Sequence, residues 1–210
     1  VQQEETLHAF DELVRAGKVG AVGASNFTAE QLAEAVEISE LEGLARYEWV
    51  QNSFSLLDDG DAESVFPVCH EHGLGYEAFG PLAGGWLTGK YRRGAAYPAG
   101  SRMTQRPEPY QDLVTGATFD ALDRLEAIAA ARGTSLAGLA LGWLLADERV
   151  TQVVIGPGRP EHLAPAAEAL RYPVTEAERS DIEAAVAGLS GRPHSQEAHS
   201  REAPSQEAGQ

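Results

Sequence analysis

The stretch Val19-Gly20-Ala21-Val22-Gly23-Ala24-Ser25-Asn26-Phe27-Thr28-Ala29-Glu30-Gln31 joins a short apolar run to the start of a helix. Residues 19–23 read as a strand, and Ser25-Asn26 as the polar turn that follows it. Thr28-Ala29-Glu30-Gln31 fits a capping box, with a hydroxyl at the N-cap and a glutamine three residues on. The helix it opens is expected to reach about Ile38. Strand, polar turn and helix in immediate succession make one βα unit.

The same unit recurs on both sides. Residues 4–16 form a helix, because Leu7, Phe10, Leu13 and Val14 return at helical spacing and Gly17 stands where a C-terminal cap belongs. Residues 47–50 are the next strand, followed by Gln51-Asn52. A helix over 61–72 puts Val65, Val68, Cys69 and His72 on one face, and a strand over 74–78 leads into Phe79-Gly80-Pro81. A Gly- and Pro-rich segment over 79–113 follows; segments of that length are usually functional. Helices over 115–132 and 136–146 precede a fourth strand, 150–155, which Gly156-Pro157-Gly158 breaks. Helices over 160–170 and 175–187 complete the folded part, residues 1–189. Residues 190–210, almost without apolar side chains, are expected to be a disordered polar tail.

Strands that alternate with helices imply an α/β fold with a parallel sheet. The strands read as continuous apolar runs, the pattern of strands buried on both faces. A polar or glycine-rich motif follows each strand, at the end of the sheet where α/β folds bind ligands. Four strands are half of the eight that close a (β/α)8 barrel. An open half leaves two strand edges exposed and suggests self-association through them.

Composition narrows the function classes. A hydrophobic fraction of 43% is ordinary for a globular core, and no apolar run approaches the ~18 residues of a membrane span. A formal net charge of −16 excludes nucleic acid as a natural partner, since phosphate backbones need basic surfaces. The acidic start Val1-Gln2-Gln3-Glu4-Glu5 does not look like a signal peptide, and a lone Cys69 fits a reducing, cytoplasmic setting. Cys69 lies on the apolar stripe of its helix, so it reads as a buried structural thiol rather than a metal ligand with His70 and His72. Gly84-Gly85-Trp86-Leu87-Thr88-Gly89-Lys90 matches a phosphate-loop spacing, but Tyr91 replaces the hydroxyl that would hold magnesium. Tyr47, Tyr76 and Tyr91 read as packing residues, and Trp86 and Trp143 as anchors.

Three longer motifs resemble the aldo-keto reductase family. They are Leu13-Val14-Arg15-Ala16-Gly17-Lys18-Val19 running on to Gly23-Ala24-Ser25-Asn26-Phe27, Tyr47-Glu48-Trp49-Val50-Gln51-Asn52-Ser53-Phe54-Ser55-Leu56-Leu57, and Pro81-Leu82-Ala83-Gly84-Gly85-Trp86-Leu87-Thr88-Gly89-Lys90-Tyr91. The likeness runs over residues 1–187 in order and spacing. It implies a parallel (β/α)8 TIM barrel, here its C-terminal portion with about four strands and a long active-site loop. It also implies an NADP(H)-dependent oxidoreductase that reduces aldehydes or ketones, with a small carbonyl compound as substrate.

By the same resemblance, Ser25, Asn26 and Gln51 hold the nicotinamide carboxamide, and Phe79 stacks on the ring. Gly80, Pro81, Leu82 and Ala83 run along the pyrophosphate, and Lys90 and Arg102 bind cofactor phosphates. Gly156, Gly158 and His162 grip the adenosine phosphate, with Arg159 as a neighbouring cation. Pro165 and Ala166 replace the family's Glu-Asn pair at adenine, and His162 stands where Gln is common. The family's proton-transfer Asp, Tyr, Lys and His belong to its first four strands. No catalytic residue is therefore assigned here, and a truncated gene is the expected explanation. The alternative is a non-catalytic nucleotide-binding or subunit-like module.

Overall fold

The computed structural model of the chain describes residues 2–189, and the expected disordered tail falls outside them. Four strands, β1 (Val22–Ser25), β2 (Tyr47–Ser53), β3 (Gly75–Phe79) and β4 (Gln152–Val153), form one sheet in that order, every neighbouring pair parallel. The helices are α1 (Gln3–Arg15), α2 (Ala29–Glu42), α3 (Val65–His72), α4 (Arg102–Gln105), α5 (Gly116–Ala131), α6 (Leu136–Leu145), α7 (Ala164–Arg171) and α8 (Glu176–Val186). The result is the expected α/β portion of a (β/α) barrel.

The Thr28 capping box forms as read: the Thr28 hydroxyl accepts from the Gln31 amide at 3.3 Å, and the Gln31 side chain accepts from Thr28 N–H at 3.0 Å. The helix continues past Ile38 to Glu42. Other boundaries move for reasons of pairing. β1 starts at Val22 rather than Val19, because its partner β2 begins opposite Val22, at Tyr47. Gln51 and Asn52 lie within β2, not after it. The fourth strand shrinks to two residues, although Thr151 and Val154 still donate to the carbonyls of Tyr76 and Ala78. Two expected helices open with a 3-10 turn, Gly60–Ala62 before α3 and Pro160–Leu163 before α7.

Burial on both faces of the sheet is not observed. Val22, Ala24, Val50, Asn52, Tyr76 and Ala78 are buried against the helices, while Gly23, Ser25, Trp49, Gln51, Gly75, Glu77 and Phe79 alternate with them on a more open face. The period-2 burial follows from a sheet that the described helices cover on one side only. Trp49, 43% exposed, lies across that open face. A Cβ at Gly23 would overlap its indole, and one at Gly75 would sit 3.3 Å from its Cβ, so both glycines make room for the ring.

Between sheet and helices lies an aromatic core. Phe54 stacks on Trp143 with centroids 5.6 Å apart, and Phe66 meets Tyr76 edge-on at 4.5 Å. Trp86 packs against Tyr91 and Phe119, so both tryptophans are the anchors expected. α6 is buried almost all round, which explains its run of apolar residues. No single helix among the described residues is long and apolar enough to cross a membrane.

Candidate functional site

The C-terminal ends of the strands open into a cleft of about 1530 Å³. Eleven of the fourteen residues assigned from sequence line it: Asn26, Phe79, Gly80, Pro81, Leu82, Ala83, Lys90, Arg102, Gly156, Gly158 and His162. These come from the turn after β1, the end of β3, the stretch from Gly80 through the 3-10 segment Ala83–Thr88 to Lys90, α4, the loop after β4 and the 3-10 turn Pro160–Leu163. They are up to 136 residues apart in sequence (Asn26 to His162), and the parallel topology gathers them because every strand ends on the same side.

The other three lie off the cleft wall. Ser25 and Gln51 sit one step inward on the open face, paired in register with each other. Arg159 points to solvent, with its side chain 73% exposed and 4.0 Å from Glu161.

Local geometry holds the first turn rigidly. Asn26 has φ +58 and Ala83 has φ +46; they are the only non-glycine residues with positive φ among those described, and both line the cleft. Backbone held in that region collects at binding sites because the fold must enforce it. Asn26 N–H donates to the Gln51 carbonyl at 3.0 Å, and its side-chain amide donates to the Ser25 hydroxyl at 3.1 Å. At the far end, Gly158 N–H donates to His162 Nδ1 at 3.3 Å.

The charges are unevenly spent. Arg92, Arg93, Arg132, Arg149 and Arg179 are paired with carboxylates, whereas Lys90 and Arg102 face the cleft with no ion pair among the described residues. Lys90 Nζ lies 5.1 Å from the Tyr91 ring centroid and crosses Gly85, where a Cβ would collide with it. The phosphate-loop reading fails here. Trp86 and Leu87 are fully buried, so the middle of that segment plugs the core instead of cradling a ligand.

Two polar residues escaped the sequence reading. Asn52 is fully buried: its side chain bridges both backbone groups of Phe27 and donates to Asp61 at 2.8 Å, fixing the turn that carries Asn26. Glu77 accepts a hydrogen bond from Gln51 Nε2 on the open face. The alternation of Tyr76, Glu77 and Ala78 was the available signal, since a lone carboxylate in an apolar strand must face away from the core.

The model of the Aldo/keto reductase family matches residues 1–187, and the chain belongs to that family. It is 36% identical over 178 residues to the L-glyceraldehyde 3-phosphate reductase of Escherichia coli K12, covering 80% of this chain and 49% of that protein. It is 32% identical over 172 residues to a probable voltage-gated potassium channel subunit beta of Oryza sativa subsp. japonica, covering 80% and 52%. To the NADH-specific methylglyoxal reductase of Escherichia coli K12 it is 26% identical over 174 residues, covering 83% and 51%. The chain thus spans about half the length of the curated relatives it matches.

Proposed function

We propose that the chain is the cofactor-binding half of an NADP(H)-dependent aldo-keto reductase that interconverts aldehydes or ketones and alcohols. The observation that carries this reading is the gathering of eleven sequence-assigned residues along one cleft at the strand ends. The residues fit a dinucleotide. Lys90 and Arg102 offer positive charge that has no ion pair among the described residues, in a chain of net charge −16, where anionic phosphates need it. A Cβ at Gly156 would meet nothing within 4 Å, so the backbone there is open to close approach.

Bound nicotinamide supplies or accepts a hydride. Ser25, Asn26 and Gln51 offer the donors and acceptors that fix its carboxamide, and Phe79 offers a flat apolar surface for the ring. Gly80 to Ala83 would follow the pyrophosphate, and Gly156, Gly158 and His162 the adenosine phosphate, with the solvent-exposed Arg159 as a neighbouring cation. Lys90 and Arg102 favour the phosphorylated cofactor over NADH. None of the proton-transfer roles is assigned to this chain, which alone is expected to hold cofactor without reducing a carbonyl. The lone buried Cys69 fits a cytoplasmic setting. Fluorescence titration of the chain with NADPH tests the reading: saturable binding supports it, and its absence rejects it.

One observation favours a second reading. Among the described residues β1 and β4 each pair on one side only, and Trp49 is 43% exposed on the open face. A second copy of the chain would cover these edges in a non-catalytic, subunit-like module. Light scattering decides it: a discrete species of twice 22.4 kDa supports the module, and a monomer or polydisperse aggregate rejects it.

A further inference from the structure

We propose that Glu77 makes the cofactor site discriminate between oxidised and reduced nicotinamide, by holding the Gln51 amide and by placing a negative charge beneath Phe79. The proposal rests on the cofactor reading above.

The strand register sets the geometry. Ser25 pairs with Gln51, Gln51 with Glu77, and Glu77 with Gln152, so four polar residues form one row across the sheet. The row lies on the open face, because its strand neighbours Ala24, Val50, Asn52, Tyr76 and Ala78 are buried on the other. Inward of it, Trp49 lies between Gly23 and Gly75. Outward of it come Ser53 and Phe79, both on the cleft wall. Glu77 and Phe79 are two residues apart on one strand, so they share a face at a spacing of about 7 Å.

Inward-facing rows of such sheets are dominated by bulky branched apolar residues. A carboxylate there, without an ion pair among the described residues, calls for a role. Among the described residues its side-chain hydrogen bond is to Gln51, a residue assigned to the nicotinamide carboxamide. With the Gln51 nitrogen committed to Glu77, its carbonyl oxygen is the end left to accept from a carboxamide NH2. Glu77 therefore positions Gln51.

The charge has a second consequence. The nicotinamide ring is cationic when oxidised and neutral when reduced. A fixed negative charge two residues from Phe79 on the same face would attract the first and leave the second unaffected. The site is thereby tilted toward the oxidised cofactor, by about fivefold for a partly solvated pair at such a distance. A residue that merely propped up Gln51 would leave the ratio of the two affinities unchanged.

The test measures dissociation constants for NADP+ and NADPH separately, by calorimetry, on the whole chain and on its Glu77→Gln and Glu77→Leu variants. Circular dichroism melts establish that each is folded. Glu77→Gln keeps an acceptor for Gln51 and removes only the charge. It is expected to weaken NADP+ about fivefold and NADPH by less than about twofold. Glu77→Leu, which also frees Gln51, is expected to weaken both. Equal losses for the two cofactors in Glu77→Gln, or no change, overturn the proposal. If the unmodified chain binds neither, the cofactor reading falls and this proposal with it.

Discussion

The Tyr76 hydroxyl donates to the Asp61 carboxylate at 2.6 Å in the layer between sheet and helices, where both residues are buried. The same oxygen accepts from Asn52 at 2.8 Å, so one carboxylate ties β3, β2 and the turn before α3 together. Burial, and next the charge of Asp61, push the Tyr76 hydroxyl far above its ordinary range, so it stays a donor at any working pH. Tyr76→Phe is expected to cost about 2 kcal/mol, the worth of a hydrogen bond to a charged group. Asp61→Ala is expected to cost more, because it removes the acceptor of both the Tyr76 hydroxyl and one Asn52 N–H, the other N–H staying on the Phe27 carbonyl. Urea denaturation of the two variants gives the order, and an Asp61→Ala no worse than Tyr76→Phe would contradict the bridging role.

Cys69 borders this layer. Burial first, and the Asp61 charge second, push its thiol up to about 11. At pH 8 only about one molecule in a thousand then carries the reactive thiolate. Ellman's reagent is expected to modify the native chain very slowly and the urea-unfolded chain at once. Fast labelling of folded protein would mean that the α3 face opens.

How much of this was readable beforehand depends on the residue. The Thr28 capping box and the strand-end motifs were legible because their signals are local: a hydroxyl three residues before a glutamine, or a glycine after an apolar run. The faces of the strands were not. Trp49 reads as part of an apolar run and Gln51 as the polar residue after it, yet both lie on the face opposite Val50 and Asn52. Which side of a sheet stays open depends on what covers it, and no neighbouring residue encodes that. Asn52 read as a loop amide for the same reason: its partners Phe27 and Asp61 reach it only through the fold.

Asp147 was likewise invisible as a hub. Its carboxylate accepts from Arg149 Nη2 at 2.7 Å and from Arg179 Nη2 at 2.8 Å, and Arg179 also reaches the Trp143 carbonyl at 3.0 Å, joining α8 to the end of α6. Burial raises the carboxyl, but hydrogen bonds from Arg149 and the charges of both arginines outweigh it and hold the group below the usual carboxylate range. A depressed folded-state value means that the stability is fully present above the unfolded value and disappears as pH falls through the folded one. Asp147→Ala is expected to cost about 2 kcal/mol at pH 7, because the buried Arg179 then keeps Glu183 as its ion-pair partner but loses its charged hydrogen bond to Asp147. The gap to the unmodified chain should narrow from about pH 4 downward. Denaturation at a series of pH values checks it; a gap that does not change with pH would place the effect in packing instead.

Lys90 gives the most direct handle on the cleft. Its amine crosses Gly85, whose φ of +98 suits only glycine and whose missing side chain leaves the space that the amine takes. Gly85→Ala is therefore expected to do two things: strain the backbone by about 1–2 kcal/mol, and push Lys90 off its seat. On the cofactor reading Lys90 meets a phosphate, so Lys90→Ala should weaken NADPH about tenfold, and Gly85→Ala should approach that loss while keeping the lysine. Charge contacts are screened by salt, so affinity for the unmodified chain should fall between low and physiological ionic strength. The fall should be shallower in Lys90→Ala. Fluorescence titrations at two salt concentrations measure both slopes. Parallel slopes would remove Lys90 from the phosphate contact and leave Arg102 to carry it.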